Sequence, residues 1–449
     1  MVTNNFRIIA ALLPILLRRL SKMSDPRQPG KVKHCLTSLM IYGILCFVLQ
    51  ISSRREANDI LTRPQFELSL TTLFPDLKTL PHADTLFRLL RDLGENVQEI
   101  ELALVDLIKN LIRKKKFRAY LINNCYPIAL DGSRKITFNS LWSDALLQQR
   151  VSGSDEEGTA TYQYYIYVLE ASICFHNGMV LPLMSEFLDF KEGDGDRNKQ
   201  DCEMRAFHRL AERIKQAFPR LPVMLLLDGL YANGPVMEHC LKYNWQFMIV
   251  LKDDSMTTTW SEYHGLLKLE RNNEHHRLWG GRKQHFRWVN CIRYEYGDNN
   301  GKHLIVHVVV CHEKWQEIDE AGQLVSRESK HAWLSSRSLH RDNVHERCNL
   351  GGRHRWGIEA GFLVEKHQGY QYEHSFAKNW NAMRGYHYLM RMGHLLNTLV
   401  RFSSTLTKKF SEMGVRGFFR FIRESLGAPW LNLETILERI RLPFELRLV

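Results

Sequence analysis

The sequence predicts an α/β protein in which a mixed sheet is set between helical regions and interrupted by a second β-rich stretch. Three observations carry this. From residue 1 to about 115, apolar residues recur at spacings of three and four, as in Ile44, Phe47, Val48 and Ile51 and again in Leu102, Val105, Ile108 and Ile112. That is the stripe of a helix burying one face. Between about 125 and 250 the pattern changes to short β-rich runs separated by amphipathic helices, and from about Asn343 the helical spacing returns.

In the first region, Phe6 to Leu20 reads as an amphipathic helix, and Arg18 and Arg19 stand where a signal peptide would need small residues. The most apolar stretch, Leu36 to Ile51, contains Thr37, Ser38 and Gln50. It is shorter than the roughly 18 to 20 residues a membrane span requires, so it reads as a buried helix. Arg63-Pro64 and Pro75 break the pattern, and a further helix reads from about Thr79 to Leu93 with Pro81 in its first turn. Arg88 and Arg91 lie on its polar side, facing DNA in a helix-turn-helix reading or solvent on an ordinary helix. The basic run Arg113 to Lys116 closes the region.

The sheet begins with the apolar run Cys125 to Leu130, which ends at Asp131-Gly-Ser. Tyr162 to Phe175 and Met179 to Phe187 form a hairpin through His176-Asn-Gly178. A helix from about Lys199 to Phe218, the strand Val223 to Leu227, a helix near Asn233 to Tyr243 and the strand Gln246 to Val250 follow. The order β-β-β-α-β-α-β is that of a ribonuclease-H-like core. From about Thr257 to Ser335 the helical pattern stops; Phe286 to Tyr296 and His303 to Cys311 alternate as strands around the turn Asp298 to Gly301. The expected division is 1–118 helical, 119–256 first part of the core, 257–338 β-rich insertion, 339–375 last core helix and 376–449 helical C-terminal region.

Composition narrows the function. The 449 residues hold 61 Lys plus Arg against 49 Asp plus Glu, a net charge of +12, which points to polyanionic partners. Nine cysteines contain no C-x-x-C pair, so a zinc ribbon or thioredoxin-type site is not expected and a reducing, cytoplasmic compartment is. The stretch Asp194 to Asn198 starts like a calcium loop but has Lys199 where Gly is required. Asp201 and Glu203 are explained by the dipole of the helix they open. His275, His276, His303, His307 and His312 fall in the insertion without an evident ligand set.

Two aspartates follow strands, Asp131 and Asp228, and strand ends are where catalytic groups of α/β sheets collect. Taken singly, each Asp-Gly is no more than a turn signal. In the proposed fold the two strands are neighbours, so the carboxylates can converge. The helix opened by Gly351 supplies a third: at about 100° per residue, Arg355, Glu359 and Lys366 share one face. Glu365 falls about 120° from Glu359 and points elsewhere.

With the segments LDGS, LLLDGLYAN and RHRWGIEAGFLVEKHQGY around these three carboxylates, the chain resembles bacterial insertion-sequence DDE transposases of the insertion-sequence-four type. That family's signature is Tyr, two residues, Arg, three residues, Glu, six residues, Lys. Arg355, Glu359 and Lys366 fit it, and Gly352 replaces the Tyr. The resemblance implies that Asp131, Asp228 and Glu359 hold two Mg²⁺ ions, for which Mn²⁺ can substitute, and that Arg355 and Lys366 bind phosphates. It also implies that Trp333 of the insertion stacks on a flipped base; the residues alone allow a core Trp on a strand equally.

The expected activity is Mg²⁺-dependent cleavage at transposon ends and strand transfer into target DNA. The partners are terminal inverted repeats, target DNA and a second copy of the chain in a synaptic homodimer, with no membrane involved and a nucleoid-associated location. The rivals are a structure-specific nuclease on the same fold and a non-catalytic DNA-binding derivative.

Overall fold

In the computed structural model, which describes residues 1–154, 160–189, 202–320, 322–428 and 432–448, the N-terminal stripes become α1 (Val2–Leu20), α2 (Leu36–Val48), α3 (Arg54–Leu61), α4 (Pro64–Leu73), α5 (Ala83–Asp92) and α6 (Gln98–Arg113). The expected calcium-like stretch 194–198 and the helix start at 199–201 lie outside the described residues. Helix α5 begins later than its sequence suggests: Pro81 precedes it and His82 caps it by accepting from the Asp84 amide. Helix α2 is buried on nearly every side. Its cover includes α11 (Trp380–Arg401), which also packs on α5 and α6, so the N- and C-terminal helices share one core. No helix among the described residues is long and apolar enough to cross a membrane.

The sheet opens with β1 (Tyr126–Phe138), β2 (Leu147–Ser154), β3 (Ala160–Cys174) and β4 (Val180–Leu188). Helix α7 (Glu203–Ala217) leads to β5 (Val223–Leu227), and α8 (Gly234–Lys242) leads to β6 (Gln246–Val250). Strands β3 and β4 pair antiparallel, as do β1 and β3, whereas β1, β5 and β6 run parallel. The order β4–β3–β1–β5–β6 is the ribonuclease-H-like core. Strand β5 is apolar throughout because both faces are covered: Val223, Leu225 and Leu227 enter the main core, Met224 and Leu226 a second cluster on the other face.

The insertion does not stand apart. Strands β7 (Glu274–Trp279), β8 (Arg282–Tyr296), β9 (Lys302–Ile318) and β10 (Leu324–Ser335) continue the same sheet, with β10 antiparallel to β6. It also holds a helix, α9 (Thr257–Leu267), where the sequence suggested none. After β10 the chain crosses the second face as a π-helical turn, 346–351, then a 3-10 stretch, 352–356, then α10 (Gly357–His367). Ile358 and Phe362 of α10 join the second cluster, and Gly357 fits because any Cβ there would lie 3.2 Å from the Cys174 Cβ. Helices α12 (Thr407–Gly427) and α13 (Leu433–Arg441) complete the C-terminal region.

Candidate active site

The parallel pairing of β1 with β5 sets Ala129 against Leu226, so Asp131 and Asp228, each two residues further on, reach the same level of neighbouring strands. Adjacent strands are about 4.8 Å apart, which brings the two residues to one edge of the second face. Asp131 is not after its strand but within it: β1 runs on to Phe138, and Asp131 pairs across to Glu170 of β3. Asp228 ends its own strand and accepts from the Leu230 amide at 2.9 Å, capping a short 3-10 turn.

The third carboxylate arrives from the crossing segment. Arg355, in the 3-10 stretch, donates to Glu359 Oε1 at 2.9 Å and lies 3.6 Å from Asp131 Oδ2. One guanidinium thus spans two of the three carboxylates, and its Nε is buried with no hydrogen-bond partner. Glu365 does point elsewhere. It is fully buried, 3.1 Å from Arg391 and 2.7 Å from His394, and although burial works against it, the Arg391 guanidinium and the hydrogen bond to His394 hold its carboxyl near 2. That ion pair ties α10 to α11 and so fixes the helix that presents Glu359.

Asp228, Arg355 and Glu359 line an open cleft of about 690 Å³ between the end of the core strands and the insertion. Lys252, Lys330 and Arg353 line it too, giving it a cationic wall partly offset by Asp253, which Lys330 meets at 2.6 Å. Arg353 is aimed by Glu313, a buried carboxylate on β9 that takes its guanidinium at 2.5 Å, so the insertion sheet braces the segment that carries Arg355. Lys366 turns away to Glu373, at 3.2 Å, and is not part of this wall.

Trp333 belongs to the packed second cluster and is 3% exposed, with its ring stacked near His331. An edge of Trp333 still lines the cleft, but the exposed ring there is Trp356, 62% exposed, with the Arg355 guanidinium 4.6 Å from its centroid. Arg88 and Arg91 are exposed on α5, and Arg91 pairs with its neighbour Asp92 at 2.7 Å. Neither belongs to the cleft.

Sequence reasoning set Glu203 aside, yet it sits beside Asp131. It accepts from Tyr167 at 2.8 Å and from Tyr231 at 2.6 Å, and a Cβ on Gly132 would lie 2.6 Å from its Oε2. Its approach depends on how α7 packs over β3 and β4, for which the sequence carries no local signal. Trp356 and Lys252 were passed over as well, although a Lys two residues beyond an apolar strand was a readable sign.

These charges suit a divalent cation. Burial pushes the Asp131 carboxyl up to about 6; Arg355 pulls it down, while Glu359 and Glu203 push it further up. Asp131 and Glu359 share one guanidinium, with Glu203 also acting on Asp131 and Asp228 level with it on the next strand; such hard oxygen donors with little positive charge among them are the environment Mg²⁺ or Mn²⁺ relieves.

Residues 17–108 match the family model described as DDE_Tnp_1-associated. That match points to a DDE-type transposase family. It falls within α1 to α6, ahead of every cleft residue, so it bears on the helical region and not on the carboxylates. No curated protein matches the chain.

Proposed function

We propose that the protein is a DDE transposase of the insertion-sequence-four type that cuts DNA at the ends of its element and joins them to target DNA. The observation that supports this most is that Asp131 and Asp228 stand level on adjacent strands and Arg355 links Asp131 to Glu359, beside a cleft that Asp228, Arg355 and Glu359 line with several cations.

Asp131, Asp228 and Glu359 would hold two Mg²⁺ ions. Bound there, the ions would activate a water or a 3′-hydroxyl and stabilise the leaving oxygen of an in-line displacement. Arg355 would exchange its carboxylate partners for the scissile phosphate, which its fork can grip with two parallel hydrogen bonds. Lys252 and Arg353 would neutralise flanking phosphates, positioning the duplex without reading sequence. Trp356 offers an open ring to a base unstacked near the cut. Terminal repeats and target DNA are the partners, two chains would hold two ends, and the working location is the cytoplasmic nucleoid.

The test is cleavage of a labelled fragment carrying the DNA that flanks the gene, in Mg²⁺ or EDTA, with the parent chain, Asp228→Asn and Glu359→Gln. The parent with Mg²⁺ should cut and join the ends, and both variants should lose this activity while still binding the fragment. Cutting without joining would favour the nuclease, and binding without any cutting would overturn the catalytic reading.

A further inference from the structure

The outer hairpin of the insertion brings three metal-ligating side chains together. Glu274 and His276 are two apart on β7 and therefore share a face, and His276 pairs directly across from His285 of β8. One ligand atom from each of Glu274, His276 and His285 lies within 4.8 Å of the other two. The two imidazoles stack with centroids 4.1 Å apart and planes 9° from parallel. His285 Nε2 is 3.0 Å from Glu274 Oε2.

The geometry points to a binding site for a borderline divalent ion of the Zn²⁺ class, held by Glu274, His276 and His285 with a fourth position open to water. Two ligands about 2.0 to 2.1 Å from one tetrahedral ion are about 3.3 Å apart. The His285–Glu274 separation already approaches that, and His276 closes the remainder by side-chain rotation. Two imidazoles and one carboxylate select Zn²⁺, Co²⁺ or Ni²⁺ over Mg²⁺, whose preference is for oxygen.

A plain cross-strand ion pair between His285 and Glu274 explains the 3.0 Å contact, but it does not explain His276. Two imidazoles and a carboxylate gathered on one face of the hairpin form a ligand set. Strand β7 also needs such a tie. It is the last strand of the sheet, pairs with β8 alone among the described residues, and has no buried residue, so little apolar packing holds it. A chelate across β7 and β8 would fasten that edge. The site lies outside the carboxylate cleft and does not depend on the activity proposed above.

The experiment is a titration of the full chain with Co²⁺ and Zn²⁺ in excess Mg²⁺, which fills the oxygen site, followed by visible absorption and calorimetry. Binding of about one ion per chain is expected, with the d–d bands of a low-coordinate Co²⁺ site and no thiolate charge-transfer band. Affinity should fall at least tenfold in His276→Ala, which leaves the His285–Glu274 contact intact, and in His285→Gln, which keeps a hydrogen-bond donor near Glu274. Amide exchange in residues 274–279 should slow on adding Zn²⁺ to the parent chain and not to His276→Ala. Failure to bind, or binding unchanged in both variants, would overturn the site.

Discussion

Trp333 occupies the space that a side chain at position 352 would need: a Cβ built on Gly352 would lie 2.8 Å from the indole Nε1. The backbone there is ordinary, with φ at −50°, so the glycine is demanded by room and not by conformation. This accounts for the one departure from the Tyr-Arg-Glu-Lys pattern. Restoring the tyrosine with Gly352→Tyr should cost about 1 to 3 kcal/mol by overpacking the second cluster. In Trp333→Gly the same change should cost less, and urea unfolding of the four proteins should show non-additivity of about 0.5 to 3 kcal/mol. Equal urea midpoints for Gly352→Tyr and the parent would contradict the close packing.

A pH dependence follows from Asp131. Its folded pKa of about 6 lies above the ordinary carboxylate value of 3.8, mainly through burial. A raised carboxylate lends stability below its unfolded pKa and loses it as pH rises through the folded one. Without metal, the chain should therefore lose up to about 3 kcal/mol from this group between pH 4 and 6, at about 1.36 kcal/mol per unit. Asp131→Asn should be more stable than the parent at pH 8 in EDTA, and the gap should close below pH 4. Mn²⁺ should stabilise the parent and not the variant, and its binding should release a proton near pH 6, which calorimetry in buffers of different ionisation enthalpy reads.

How much of this was legible in the sequence follows from burial. Strands β5 and β6 appear within a residue of their true ends because both faces are covered and their apolar runs are unbroken. The outer half of β1 was missed because Asp131 to Phe138 is largely polar and is held in the sheet by pairing with β3. Helix α9 begins Thr257-Thr-Thr, residues with poor helix propensity, and its helicity comes from packing on β8. Strand β7 is exposed or half-buried throughout and carries no apolar alternation. Asp228 could be picked out because a strand end is a local signal, Glu359 because helix spacing is, and Asp131 because its apolar run stops there although the strand runs on; Glu203 comes to Asp131 only through tertiary packing.

Arg391 carries an opposite pH signature. It lies 3.2 Å from Glu170 and 3.1 Å from Glu365, both fully buried, and it opposes the burial that would otherwise protonate them. Arg391→Met leaves Glu170 and Glu365 buried with His387, His394 and Lys135 but without the guanidinium that bridges them, and should cost about 3 to 5 kcal/mol. Glu365 has a depressed folded value near 2, so its contribution is present above the unfolded carboxylate pKa and lost as pH falls toward 2. Guanidinium unfolding should thus show Glu365→Gln costing stability at pH 7 and little near pH 2. A loss that persists at pH 2 would mean that shape, not charge, holds α10 to α11.

The two cleft tryptophans should separate stability from DNA contact. Trp333, 3% exposed and packed among Phe286, Trp288 and Met248, is a core residue, and Trp333→Ala should cost about 3 to 5 kcal/mol. Trp356, 62% exposed, touches little that folding needs, so Trp356→Ala should leave the melting temperature within about a degree, as surface changes usually do. Stacking on an unpaired base is worth about 1 to 3 kcal/mol, so Trp356→Ala should weaken binding to a fragment with an unpaired base at the cut by about 5- to 160-fold. Binding to the fully paired duplex, governed by the cationic wall, should change much less. Equal loss on both fragments would assign Trp356 to general DNA contact, and a loss confined to Trp333→Ala with stability restored by lower temperature would move the stacking surface to the buried ring.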